Sequence, residues 1–568
     1  MSSFSPSGAG GSVQDSPELD RILSIPRRTW TPAELLTLSA DMTAALKTAN
    51  GTQTLRPIQA LALLEIGKWR GAFLPIRTGG GKTLLSLLAP RMVPSARPLL
   101  LVPAHLREKT RDELAGYRKD WVLPKFIKIM SYQTLSTVAN AAALDDYRPD
   151  FIFCDEAHYL KNTSAACTAR VSRYMKEQYG KVPFVVASGT LTKRSIRDFA
   201  HLGNWSLRER NPVPQDWNAL DEWSRALDVN VNAQRRLMPG ALSRLRNSPI
   251  EPIRSAFKRR LVDTPGVVAT QDKPLPIPLT FESHLMHYPS PHWSMLRDDG
   301  MTPDGWECMD GIEIWRHARE LSIGCWYRWD PRPPTEWSMA RSAWGRLCRE
   351  ILKTNRRNLD SELQVVMAVQ AGHYPHAEAI YADWKAIEPT FTPNVEAVWE
   401  SDHAIEWIRD WIAKGPGIVW VSHRFLGERL ADMGVLPYYS NGGLCTKTGR
   451  AIEQADPTKA IAASIAANST GRNLQMFNRN LIVGVPPNGS IFEQLISRTH
   501  RDGQTAAAVS VEMLFGCVED VSAFWRAVED SKYAEAMTGQ AQKLCHSALT
   551  SVADPDIVSA HCTAQWVR

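Results

Sequence analysis

Residues Ile76-Arg77-Thr78-Gly79-Gly80-Gly81-Lys82-Thr83 form a glycine-rich segment that ends in Lys-Thr. Glycines let successive backbone N–H groups converge on phosphate oxygens at a helix start, so Thr78, Gly79, Gly80 and Gly81 read as a phosphate cradle. Lys82 offsets the charge of the β- and γ-phosphates there, and Thr83 places a hydroxyl where it can ligate Mg²⁺. Farther along, the apolar run Phe151-Ile152-Phe153-Cys154 closes in Asp155-Glu156-Ala157-His158. Asp155 would hold Mg²⁺ through water and Glu156 would polarise the attacking water. The two segments together point to nucleotide hydrolysis, with ATP and Mg²⁺ as the expected cofactors.

The elements that must carry these groups are legible around them. From Trp30 to about residue 204, helical stretches alternate with β-rich runs at Gly71 to Ile76, Pro98 to Val102, Phe126 to Met130, Phe151 to Cys154 and Pro183 to Ala187. That alternation predicts a parallel sheet wrapped by helices. A second series begins near Ala404, with a helix through Trp411, a strand Gly417 to Val421, a helix Gly427 to Met433, and β-rich runs at Asn480 to Val485 and Ala506 to Met513. The expected fold is α/β: a disordered tail (1–28), a first ATP-binding lobe (29–204), a mainly helical insertion (205–395), a second lobe (396–513) and a short helical C-terminal region (514–568).

Composition narrows the class. At 568 residues the chain exceeds one core, and 44% hydrophobic content is ordinary for a globular protein. No run reaches the roughly 18 apolar residues of a membrane span, and the N-terminus lacks a secretory pattern, so a cytosolic protein without a membrane partner is expected. The nine cysteines contain no Cys-x-x-Cys pair and read as reduced thiols. Cys545-His546 and His561-Cys562 supply four possible zinc ligands, although adjacent ligand pairs are unusual. The net charge is +6, while the stretch from Arg235 to Arg260 alone holds eight basic residues against Glu251. Such a patch, with Arg235 and Arg236 at its start, suits phosphate-backbone binding, and a solvated helix face is the alternative. The segment 205–395 is rich in tryptophan, read mainly as core filler rather than as base-stacking platforms.

Further segments follow in a recognisable order. Upstream of the phosphate loop stands Leu55-Arg56-Pro57-Ile58-Gln59; after it come Leu101-Val102-Pro103-Ala104-His105-Leu106, Ser131-Tyr132-Gln133-Thr134-Leu135, the extension Tyr159-Leu160-Lys161-Asn162 of the acidic segment, and Ser188-Gly189-Thr190-Leu191-Thr192. Later come Phe257-Lys258-Arg259-Arg260, Ile418-Val419-Trp420-Val421-Ser422-His423, the stretch Ser464 to Leu474, and Gln494-Leu495-Ile496-Ser497-Arg498-Thr499-His500-Arg501-Asp502-Gly503-Gln504. This order resembles the superfamily-2 helicases and translocases, and within them the Swi/Snf-type DNA translocases, over roughly residues 50 to 510. Leu191 stands where that family usually has proline, Asn468-Ser469 where it has a glycine pair, and Ser497 where glycine is common. Asn tolerates positive φ better than Ser does.

The resemblance implies two RecA-like lobes with ATP and Mg²⁺ between them and nucleic acid, most readily duplex DNA, across one face. By the same token Gln59 would read adenine, and Ser188 and Thr190 would couple the carboxylates to the other lobe. Pro103, His105, Ser131, Tyr132, His423 and Asn473 would line the nucleic-acid track. Gln494, Arg498 and Arg501 would act on the nucleotide, with both arginines on one helical face and Arg501 as the finger that stabilises transferring charge. The implied function is a nucleic-acid-stimulated ATPase that moves along DNA. Alternatives are an RNA helicase, an ATP-switched adaptor, or the motor of a restriction or defence complex with a protein partner at the insertion or C-terminal region. The compact size, Ser/Gly-rich start and short C-terminal helical region also suit a phage-encoded or mobile-element replication or recombination helicase.

Overall fold

The computed structural model describes residues 11–553 except 179, 193, 230, 271–274, 309 and 355–358. Of these, the residues up to 272 together with Ser531–Gln542 make one compact unit, and those from 273 to 530 and from 543 onward make another. Both are α/β with parallel sheets. Among the described residues no helix is long and apolar enough to cross a membrane.

The first unit is built on five strands: β1 (Gly71–Leu74), β2 (Pro98–Val102), β3 (Lys128–Ser131), β4 (Phe151–Asp155) and β5 (Phe184–Ala187), in the order β1-β5-β4-β2-β3 and all parallel. β1, β2, β4 and β5 are buried at every position, as continuous apolar runs in a sheet covered on both faces should be. Side chains alternate between two cores: Phe73, Leu99, Leu101, Ile152, Cys154, Phe184 and Val186 face one, while Leu74, Leu100, Phe151, Phe153, Val185 and Ala187 face the other. The register matters most for function. Ala187 at the end of β5 pairs with Leu74 of β1 on one side and with Asp155 of β4 on the other. The phosphate loop, the Ser-Gly-Thr turn and the acidic pair therefore leave the sheet at one edge.

The segment expected as a disordered tail departs from that reading over 11–28. Ser16 caps the helix Pro17–Ser24, with Pro17 at its first position, and Leu19, Ile22 and Ile25 are buried in the first core. Their spacing of three is the helical signal that a Ser/Gly-rich opening obscured.

The second unit holds β6 (Leu279–Leu285), β7 (Cys325–Trp329), β8 (Val395–Trp399), β9 (Ile418–Val421), β10 (Tyr438–Tyr439), β11 (Ile461–Ser464), β12 (Arg479–Val483), β13 (Val509–Phe515) and β14 (Ala548–Ser551). Seven form a parallel sheet, β10-β11-β9-β12-β13-β6-β14, and β7 with β8 forms an antiparallel ribbon. The stretch 205–395 is thus not one insertion. Residues up to 272 pack with the first unit, β6 belongs to the second sheet, and the helices Thr335–Thr354, Glu362–Gln370 and Pro375–Ile387 lie between β7 and β8 in sequence. Trp337, Trp344 and Trp384 form the core of these helices with Phe391, so three tryptophans of this stretch are core residues of the helical cluster. The region 514–568 is likewise not purely helical, because Ala548–Ser551 adds a strand beside β6.

Candidate nucleotide site

β1 leads through Pro75 into the glycine turn, and the helix Lys82–Leu88 starts at its end. Two of the glycines are required by backbone geometry. Gly81 has φ +78°, and a Cβ there would fall 2.2 Å from Nε2 of Gln59. Gly79 has φ +83° and faces open space, with no atom within 4 Å of where a Cβ would stand. A phosphate approaching Gly79 therefore meets bare backbone.

Lys82 is 7% exposed, and its Nζ lies 3.2 Å from Oε1 of Glu156 and 3.3 Å from the carbonyl of Ile76. Glu156 occupies the left-handed region at φ +50°, which turns its carboxylate back toward the strand ends. Its Oε2 accepts from the Ser188 hydroxyl at 3.0 Å and lies 3.3 Å from His158 Nδ1. His158 Nδ1 is also 3.1 Å from the Ser188 hydroxyl and 3.3 Å from that of Thr190, whose backbone N–H donates to Ser188 Oγ. One polar network thus joins the loop lysine, the acidic pair and the Ser-Gly-Thr turn.

The two carboxylates sit in unlike electrostatic surroundings. Burial, reinforced by the Glu156 charge, pushes the Asp155 carboxyl up to about 7, while Lys82 opposes the shift. Burial also acts against ionised Glu156, but Lys82 and His158 outweigh it and hold that carboxyl well below its ordinary range. Glu156 is the ionised member, already poised to accept a hydrogen bond from water, and a divalent cation would draw Asp155 into its ionised form. Among the described residues no group of three or more His, Cys, Asp or Glu side chains could hold a metal unaided. Mg²⁺ bound largely through nucleotide phosphates and water needs only one or two protein ligands, so Thr83 and Asp155 suit it.

Gln59 is 4% exposed and already engaged: its Oε1 accepts from the Arg56 N–H at 2.8 Å and its Nε2 donates to the Gly81 carbonyl at 3.0 Å. It braces the phosphate loop, and reading adenine would require those bonds to break. Ser131 and Tyr132, expected to line the nucleic-acid track, are each only 1% exposed and support the strand ends. Ser131 caps the helix Tyr132–Ser136, and the Tyr132 hydroxyl donates to the Asp155 carbonyl at 2.7 Å while its ring stacks on Tyr159. Pro103 is buried, whereas His105 is exposed.

In the second unit, Gln494 and Arg498 lie on the helix Gly489–Thr499, which ends before Arg501. The two arginines therefore do not share a helical face. They converge nonetheless, since Nη1 of Arg498 donates to the Arg472 carbonyl at 3.0 Å and Nη1 of Arg501 to the same oxygen at 3.2 Å. Arg501 also donates to Oδ1 of Asn473. Lys543 Nζ donates to Ser497 Oγ at 2.7 Å, so the serine in place of a common glycine has a partner. Asn468 is helical and Ser469 right-handed, so the missing glycine pair needs no positive φ; Gly471 supplies that at +73°. Among the described residues Nε2 of His423, expected on the nucleic-acid track, is buried without a hydrogen-bond partner, and its ring packs edge-on against Tyr327.

The basic stretch divides in the same way. Arg254 donates to the Leu227 and Asp228 carbonyls, Arg260 is 1% exposed and donates to the Ile25 carbonyl, Arg259 pairs with Glu251, and Arg244 pairs with Asp15 and Asp20. Arg235 and Arg236 remain exposed. Cys545 and His546 are described but His561 and Cys562 lie outside the described residues, so the possible zinc quartet is not addressed by the fold. Comparison with protein-family models and with curated proteins gives no match to this chain.

Proposed function

We propose that the protein is an ATP hydrolase of the nucleic-acid translocase type with two RecA-like lobes, taking ATP and Mg²⁺ at the glycine turn of the first. The observation that carries the hydrolase is the network of Lys82, Glu156, His158, Ser188 and Thr190 at the shared edge of β1, β5 and β4. In this reading the glycine turn and Lys82 bind the phosphates, and Glu156 orients the attacking water. Ser188 and His158, bonded to the Glu156 carboxylate, sense whether it is engaged by Lys82 or by water. Mg²⁺ at Thr83 and Asp155 would neutralise developing charge on the phosphates. By the order of the motifs, Arg498 and Arg501 are the residues that would stabilise the transferring phosphoryl group.

The nucleic-acid part of the reading rests on the order of the motifs, with duplex DNA as the preferred track. Steady-state ATPase activity with no polymer, duplex DNA, single-stranded DNA or RNA tests it. Stimulation chiefly by duplex DNA is expected. Stimulation chiefly by RNA would replace it with an RNA helicase, and hydrolysis indifferent to every polymer would sink the translocase reading.

A further inference from the structure

The first unit contains a piece of chain far removed in sequence from the rest. Ser531–Gln542, the end of the helix Val518–Thr538 and the turn after it, belongs to this unit. Tyr533 is 3% exposed and its hydroxyl donates to Oδ1 of Asp228 at 2.7 Å; the same oxygen accepts from the Ile196 N–H, just beyond the Ser-Gly-Thr turn. Met537 is fully buried in the first core. The Ala541 N–H donates to the Thr270 carbonyl, and the Thr270 hydroxyl accepts from the Arg77 N–H of the phosphate loop. The segment is therefore latched beside the loop at several independent points.

These contacts fix Gln540. Its backbone N–H donates to Thr538 Oγ1, its carbonyl accepts from Gln542 Nε2, and the residue is 1% exposed. Its side-chain Nε2 is buried and, among the described residues, has no hydrogen-bond partner. A buried amide donor left unmade costs free energy that a bound acceptor would recover. The direction in which it points identifies one. A Cβ built on Gly189 would lie 3.3 Å from Gln540 Nε2, 3.2 Å from the Thr78 backbone nitrogen and 3.4 Å from Thr78 Oγ1. The Gln540 amide and the Thr78 backbone N–H and hydroxyl thus all lie close beside Gly189, where the phosphate loop meets the Ser-Gly-Thr turn.

We propose that Gln540 is a further nucleotide-contacting residue: its side-chain amide donates to an oxygen of the terminal phosphate and so distinguishes a nucleoside triphosphate from a diphosphate. The inference rests on the phosphate-loop reading above. Gln540→Glu keeps the shape and replaces the donor by a carboxylate. In the full-length protein it should weaken binding of a non-hydrolysable ATP analogue by about tenfold or more, while ADP affinity stays within about twofold because ADP lacks the phosphate concerned. Gln540→Ala, followed by its melting temperature, separates this from misfolding and should shift the same ATP-to-ADP ratio. Equal loss for both nucleotides, or an unchanged ratio in either folded variant, overturns the role of Gln540 while leaving the site intact. A wild-type protein that binds neither nucleotide overturns the phosphate-loop reading and this inference with it.

Discussion

Lys82 and Glu156 stand 3.2 Å apart with side chains only 7% and 14% exposed, so the lysine of the glycine turn and the second carboxylate of the acidic pair are each other's counter-ion. On the proposed reading, a bound phosphate would draw Lys82 away from Glu156 and leave its Oε1 open to water. Lys82→Ala is expected to abolish hydrolysis, and Glu156→Gln to retain ATP binding while kcat falls by about 10² to 10⁴-fold. Steady-state turnover with nucleotide affinity checks both; full turnover in either variant would remove these residues from the mechanism.

The arginine pair should separate into a structural and a chemical member. Arg498 is 4% exposed and bonded to the Gln494 and Arg472 carbonyls, so Arg498→Ala removes a buried side chain together with its hydrogen bonds and should lower the melting temperature as well as activity. Arg501, beyond the helix and less enclosed, should tolerate Ala with an unchanged melting temperature and a kcat lower by about 10³-fold. Equal thermal losses in both variants would contradict this division.

His423 provides a pH signature. Burial, with Arg319 adding to it, pushes its imidazole down to about 3, so it is neutral in the fold at mild acidity while the unfolded chain binds a proton near pH 6.5. A folded value below the unfolded one means stability present above pH 6.5 and lost as pH falls toward 3. Melting curves of wild type and His423→Gln should show wild type losing stability faster over that window. A gap independent of pH would show that His423 does not titrate as its surroundings require.

Replacement of Arg235 and Arg236 by Ala should leave the melting temperature unchanged and, if they meet phosphate, reduce the slope of log affinity for duplex DNA against log salt by about 0.9 for each phosphate no longer neutralised. Arg260→Ala should instead destabilise the fold, because its guanidinium is buried against the Ile25 carbonyl. An unaltered salt slope returns Arg235 and Arg236 to an ordinary solvated surface.

The sequence exposes what is local and conceals what depends on distant packing. The runs at 98–102 and 151–154 are strands because their apolar continuity suits a sheet covered on both faces. The glycine turn and acidic pair are legible because their chemistry is compact in sequence. β6 is hidden by flanking prolines in a stretch that reads as helical, and it becomes a strand by pairing with β13 and β14. Burial of Ser131 and Tyr132 does not follow from a strand-end motif, since it depends on Tyr159 and on the Asp155 carbonyl. Gln540 has no motif to announce it, and only the return of 531–542 brings it beside Gly189.

That return also bears on biosynthesis. The ribosome completes every strand of the first sheet by residue 187, yet the segment that supplies Tyr533, Met537 and Gln540 to the same unit emerges some 340 residues later. During synthesis the nascent first unit must persist with the Asp228 side chain and part of its apolar core unclosed. Completion of the first unit is thereby tied to synthesis of residues 531–542: fragments that stop before residue 531 carry the glycine turn and both carboxylates but lack the segment that packs beside them.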